Sequence, residues 1–158
     1  MEGREGEGVV VGLHRSRGGV PKTRIESAEV TAGGMEGDWQ QNRKYHGGPE
    51  RALCLYSLDL IEALQAEGHP IVPGSVGENV TIAGVDWRLV QPGCSVDIGA
   101  VRLEVTSFAV PCTTIKGSFI DGRFVRIGER KNPGWSRVYV RVVTGGMMSV
   151  GDPVFVHD

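Results

Sequence analysis

Side chains able to do chemistry fall into four loop-like stretches of this sequence. In "SFAVPCTTIKG", Ser107 to Gly117, Cys112 directly follows a proline at the end of an apolar run. Proline fixes the backbone there and removes a donor, so the thiol stands at the mouth of an expected strand. As a thiolate it could act as a nucleophile or as a ligand for a sulfur-loving metal, helped by nearby cations or by His46. A quiet core role is equally natural for the residue type, since free cysteines are among the most buried side chains. Taken alone, the stretch favours the core role, as it does for Cys54 and Cys94.

The second stretch, "GMEGDWQQNRKYHGGPERA", runs from Gly34 to Ala52 and sets an imidazole, His46, beside the unhindered amides of Gly47 and Gly48. Consecutive free amides can form an anion-binding nest, and Arg43, Lys44 and Arg51 add positive charge nearby. A glycine turn with an incidental surface histidine has the same sequence. The third stretch, "PGSVGENVTI", sets Glu78 and Asn79 between a glycine turn and an apolar strand. Asn79 could read a ligand edge through both its donor and its acceptor, or the pair could cap the turn. In the fourth, "RKNPGWSRVYVRVV", Trp135 could wall a heterocycle pocket or pack as a lid, and Arg137 could contact a phosphate.

The elements that must position these residues read mostly as short strands. Val9 to His14, Lys22 to Thr31, Arg51 to Ser57 and the closing "DPVFVH" are apolar or β-branched. Val101, Leu103 and Val105 alternate with polar neighbours, and Val138, Val140 and Val142 repeat the pattern. Only "SLDLIEALQAEG" has helical spacing, with Ser57 as N-cap and Gly68 as C-cap. Too few helices separate the strands for a parallel sheet, so the fold class is mostly β, a barrel or folded sheet of mainly antiparallel strands.

Composition narrows the function classes. The chain has 158 residues, 40% of them hydrophobic, and a net charge of −2. That is the size of one domain, with no basic footprint for nucleic acid and no apolar run fit to span a membrane. The glycine-rich, polar start does not read as a secretory signal, so the expected location is cytoplasmic. Three cysteines without a C-x-x-C spacing argue against a disulfide scaffold and against structural zinc.

Read in order, "GDWQ…HGGPERA", "GSVGENV", "GCSVDIG", "VPC" and "PGWSRVYVRVVTGGMMSVGDPV" resemble the MOSC domain, the family named for the C-terminal domain of molybdenum cofactor sulfurase. Each motif is weak alone; the ordered set is specific. The resemblance implies a MOSC-type β-barrel-like fold with a few short helices, forming a single domain over 1–158 with its core at about 9–156. It also implies molybdenum cofactor (molybdopterin) as the ligand. Cys112 of the PC motif would carry a persulfide or coordinate molybdenum. His46 and Lys22 would line its pocket, with Gly47, Gly48, Arg51, Glu78, Asn79 and Arg137 binding the cofactor.

Two functions follow from the resemblance. One is a molybdenum-dependent reductase of N-hydroxylated compounds, which would need an electron-donating partner. The other is a carrier or sulfur-transfer module that hands cofactor to a molybdoenzyme. Pyridoxal phosphate is not expected, because the aminotransferase-like domain of the full sulfurase is absent from this chain. A monomer or a homodimer is expected.

Overall fold

The structure is a computed structural model that describes residues 6–16, 20–38 and 49–158. Its strands are β1 (Glu7–Arg15), β2 (Thr23–Ile25), β3 (Ser27–Thr31), β4 (Gly34–Met35), β5 (Leu53–Ser57) and β6 (Val80–Ala83), followed by β7 (Ser95–Ile98), β8 (Val101–Phe108), β9 (Val138–Thr144), β10 (Gly146–Ser149) and β11 (Pro153–His157). One sheet runs β11-β7-β8-β9-β5-β6-β1-β2, and a further pairing of β11 with β1 closes it. Among the described residues the closed ring therefore holds seven strands, with β2 hanging on its edge. Closure leaves no long unpaired edge on the ring.

All pairings in the barrel are antiparallel except β5 with β6, which run parallel. A parallel pair needs a crossover, and here the crossover is the helix expected from sequence, α1 (Leu58–Ala66). The Ser57 hydroxyl caps it by accepting from Leu60 N at 3.2 Å. Gly68 follows the last turn at φ 101°, the left-handed conformation that ends helices on glycine. Ile61 and Leu64 are the helix's buried residues.

Alternation puts Val101, Leu103 and Val105 inside the barrel, as it does Val138 and Val140. The segment expected as one strand over Lys22 to Thr31 divides at Glu26: β2 stays on the barrel, while β3 leaves it and pairs with β4 and β10. One departure from simple alternation matters for function. Tyr139 and Cys54 point away from the core, yet both are buried, forming a small apolar cluster with Ala109 outside the barrel interior. Both faces of the β5–β9 pair are therefore covered, and the outer cover is the base of the site.

Candidate functional site

Cys112 sits where the sequence suggested, just beyond the end of β8. It is extended (φ −139°, ψ 176°) and opens a 3-10 helix over Thr113–Ser118. Of the three cysteines, Cys54 and Cys94 are buried and Cys112 is half-buried. Its Sγ lies 3.3 Å from the Thr114 hydroxyl. Burial pushes the Cys54 thiol up to about 11, with Arg137 partly opposing the rise. Among the described residues, Cys112 is thus the most accessible thiol.

The turn between α1 and β6 acts as the hub of the site. Ser118, in the helix that follows Cys112, donates to Ser75 Oγ at 2.9 Å and to Ser75 O at 3.4 Å. Arg137 of the strand entry to β9 donates from Nη1 to Val76 O at 2.7 Å. Lys22 N donates to Gly74 O at 3.0 Å. One turn therefore fixes the thiol's helix, the guanidinium and the lysine segment relative to one another. Gly74 is required within it: its φ is 87°, and an added Cβ would stand 2.9 Å from both His14 Nδ1 and Lys22 O.

Arg137 is 6% exposed, and its Nε has no hydrogen-bond partner among the described residues. A buried guanidinium nitrogen without an acceptor is costly, so this atom marks a place where an anionic or carbonyl oxygen would be welcome. The Arg51 guanidinium carbon lies 5.8 Å from the Tyr139 ring centroid. Thr106 joins the two strands' loops by donating to Glu50 O and by reaching Tyr139 O at 3.2 Å. Burial raises the Tyr139 phenol, which keeps it neutral at physiological pH.

Other expected ligand residues have internal duties. Asn79 is fully buried; its Oδ1 accepts from Cys54 N at 2.9 Å and its Nδ2 donates to His14 O at 3.2 Å. With both ends on main chain it presents no free edge to a ligand, and it instead ties β5 to β1. The Lys22 ammonium bonds both Asp38 oxygens, at 2.8 and 2.9 Å, in a pair whose side chains are 4% and 5% exposed. Asp38 also accepts from Ser16 N at 2.9 Å. Sequence reasoning missed Asp38 as the partner, although it stands in the quoted "GDWQ" motif. One face of the Trp135 ring is covered by the Arg126 guanidinium, 4.0 Å from its centroid.

Glu78 is fully buried, and its Oε2 accepts from Gly74 N at 2.9 Å and from Thr81 Oγ1 at 3.1 Å. Thr81 also faces His14 Nε2 at 3.3 Å. His14, a second residue that sequence reasoning missed, carries its signal only as a polar residue in an apolar β-branched run. Burial, with Arg24 and Lys22 adding to it, lowers its imidazole to about 4. His46, Gly47 and Gly48 lie outside the described residues, as do Arg43 and Lys44. Among the described residues, no three His, Cys, Asp or Glu side chains converge into a metal cluster.

The MOSC domain pattern matches residues 42–155. The chain belongs to the MOSC domain family. Among curated relatives, YflK of Bacillus subtilis is 27% identical over 118 residues, covering 74% of this chain and 52% of its own length. YiiM of Escherichia coli is 31% identical over 94 residues, covering 57% of this chain and 42% of its own. The chain thus spans about half the length of the curated relatives it matches. Two solved structures share the fold. YuaD of Bacillus subtilis does so at TM-score 0.75 with 17% identity, covering 96% of each chain. Escherichia coli YiiM does so at TM-score 0.71 with 21% identity, covering 96% of this chain and 70% of its own. No described helix is long and apolar enough to cross a membrane.

Proposed function

We propose that this MOSC domain binds molybdenum cofactor with Cys112 as its sulfur ligand and works as a reductase of N-hydroxylated compounds. The observation that carries the reading is the coupling of the half-buried Cys112 thiol to the buried Arg137 through one turn, Gly74 to Val76. The residues present fit the group. A thiolate is the soft donor that suits molybdenum. The unpartnered Arg137 Nε suits a phosphate or carbonyl oxygen of the pterin moiety. Arg51, whose guanidinium lies over the Tyr139 ring, adds positive charge.

When bound, the cofactor supplies the two-electron redox chemistry that cleaves an N–O bond. The chain's own part is to hold and orient. Cys112 must be a thiolate to act as a ligand, and its position on a helix pinned by Ser118 limits how far the sulfur can wander. The buried apolar patch of Cys54, Ala109 and Tyr139 excludes water beneath it. Reduction of a hydroxylamine to an amine also consumes two protons and releases water, and electrons must come from a separate donor.

The test is production in a host that makes the cofactor, followed by assay with a hydroxylamine and an artificial electron donor. Turnover that Cys112→Ser abolishes supports the reductase. Cofactor bound at Cys112 with no turnover under any donor would transfer the proposal to a carrier that hands cofactor to a molybdoenzyme.

A further inference from the structure

Two buried polar atoms of opposite charge type, Glu78 Oε1 and Arg137 Nε, lack partners among the described residues. Glu78 is not isolated. Its Oε2 is linked through the Thr81 hydroxyl to His14, a chain of carboxylate, hydroxyl and imidazole with contacts of 3.1 and 3.3 Å. The far ring nitrogen, His14 Nδ1, is buried and also without a partner among the described residues. Such a chain has two arrangements that differ by one proton.

In the first, Glu78 is ionised, Thr81 donates to Glu78 Oε2, and His14 donates from Nε2 to Thr81. In the second, Glu78 donates from Oε2 to Thr81, Thr81 donates to His14 Nε2, and the ring proton sits on Nδ1. Passing from first to second, an incoming proton arrives at Nδ1, the Nε2 proton moves to Thr81, and the Thr81 proton moves to Glu78. One proton is gained and no electron moves.

What selects between the arrangements is the charge around Glu78. The groups that bear on it are His14 on β1, Cys54 and Tyr56 on β5, and Arg137 leading into β9, with the Lys22–Asp38 pair beyond Gly74. Of these, Arg137 is the cation with a donor, Nε, that has no partner among the described residues. Resting on the cofactor-binding reading above, we infer that Glu78 is the proton-taking counter-charge of Arg137: when a ligand's anionic group occupies Arg137, Glu78 takes up one proton through Thr81 and His14. Burial already pushes the Glu78 carboxyl up, while the Gly74 amide, its own backbone amide, Thr81 and, to a smaller extent, Arg137 pull it back. An anion on Arg137 removes part of that pull. Binding then takes up protons, so anion affinity rises as pH falls. Glu78 is a positioning residue in this scheme and does not touch the ligand.

Inorganic sulfate is a suitable probe, because it stays a dianion from pH 5.5 to 8. Calorimetric titration of the full chain in buffers of different ionisation heat should report uptake approaching one proton per sulfate bound. Affinity should rise by up to about tenfold per pH unit on acidification. Infrared difference spectra of the wild type should gain the carbonyl band of a protonated carboxylic acid on sulfate addition. Glu78→Gln should still bind sulfate, with the proton uptake and the pH slope both gone. Wild-type binding with no proton uptake, no acid band and a flat pH profile would overturn the inference while leaving the cofactor reading standing; so would uptake that persists in Glu78→Gln. If Glu78→Gln does not fold, the infrared band in the wild type decides alone. Sulfate that fails to bind, or that binds Arg137→Gln equally well, would overturn this inference and the anion role of Arg137 together.

Discussion

Cys54 and Cys112 carry the same side chain and are set apart by their surroundings. At pH 8 a thiol held at about 11 is ionised to only about one part in a thousand, and Cys54 is buried as well. Alkylation of the native protein with iodoacetamide should therefore label Cys112 and leave Cys54 and Cys94 unmodified until denaturant is added, as peptide mapping would show. Early labelling of Cys54 would contradict the arrangement. His14 gives a second prediction at this scale. Its imidazole is held at about 4 against an ordinary 6.5, so the unfolded chain binds more protons than the folded one between those values. Stability contributed by neutral His14 is full above 6.5 and is lost as pH falls toward 4, by up to ~3 kcal/mol. Glu78, pushed the other way, lowers stability as pH rises instead. Denaturant midpoints measured across this range should lose the acid-sensitive part in His14→Gln. Chemistry at this scale was partly legible in the sequence: a thiol after proline stands out. That Asn79 and Lys22 are used internally was not legible, because the partners, Cys54 N, His14 O and Asp38, are distant in the chain.

Elements explain why those contacts exist. The parallel β5–β6 pair brings Asn79, just before β6, beside Cys54 on β5 and His14 on β1. Asn79→Ala would leave a buried amide and a buried carbonyl unpaired, which should cost ~2–4 kcal/mol in chemical denaturation. Native alkylation of Cys112 should change little, since Asn79 does not touch its helix. Ser118→Ala should do the reverse. It removes the link from the Thr113–Ser118 helix to the hub turn, so Cys112 should alkylate faster with a stability loss of only ~1 kcal/mol. Periodicity revealed the barrel strands and the capped helix, because alternation and capping are local signals. It did not reveal the break at Glu26 or the short helices after Cys112, which are set by where β3 and Ser118 find partners.

On the scale of the whole molecule, strand order is what brings separate motifs together. β8 and β9 are neighbours in the ring, so the segment leading to Cys112 and the segment holding Arg137 meet directly, with Ala109 N donating to Arg137 O at 2.9 Å. The motif order along the chain pointed to the family and its barrel, and the pairing of β8 with β9 supplies the physical reason these two segments meet. The central claim is that this assembly holds molybdenum cofactor through Cys112. It is tested most directly by the molybdenum and pterin content of protein purified from a cofactor-producing host. Wild type should approach one molybdenum per chain, Arg137→Gln should retain clearly less, and Cys112→Ser should retain almost none while keeping the wild-type fold by circular dichroism. Equal molybdenum in wild type and Cys112→Ser, or none in either, would contradict the account.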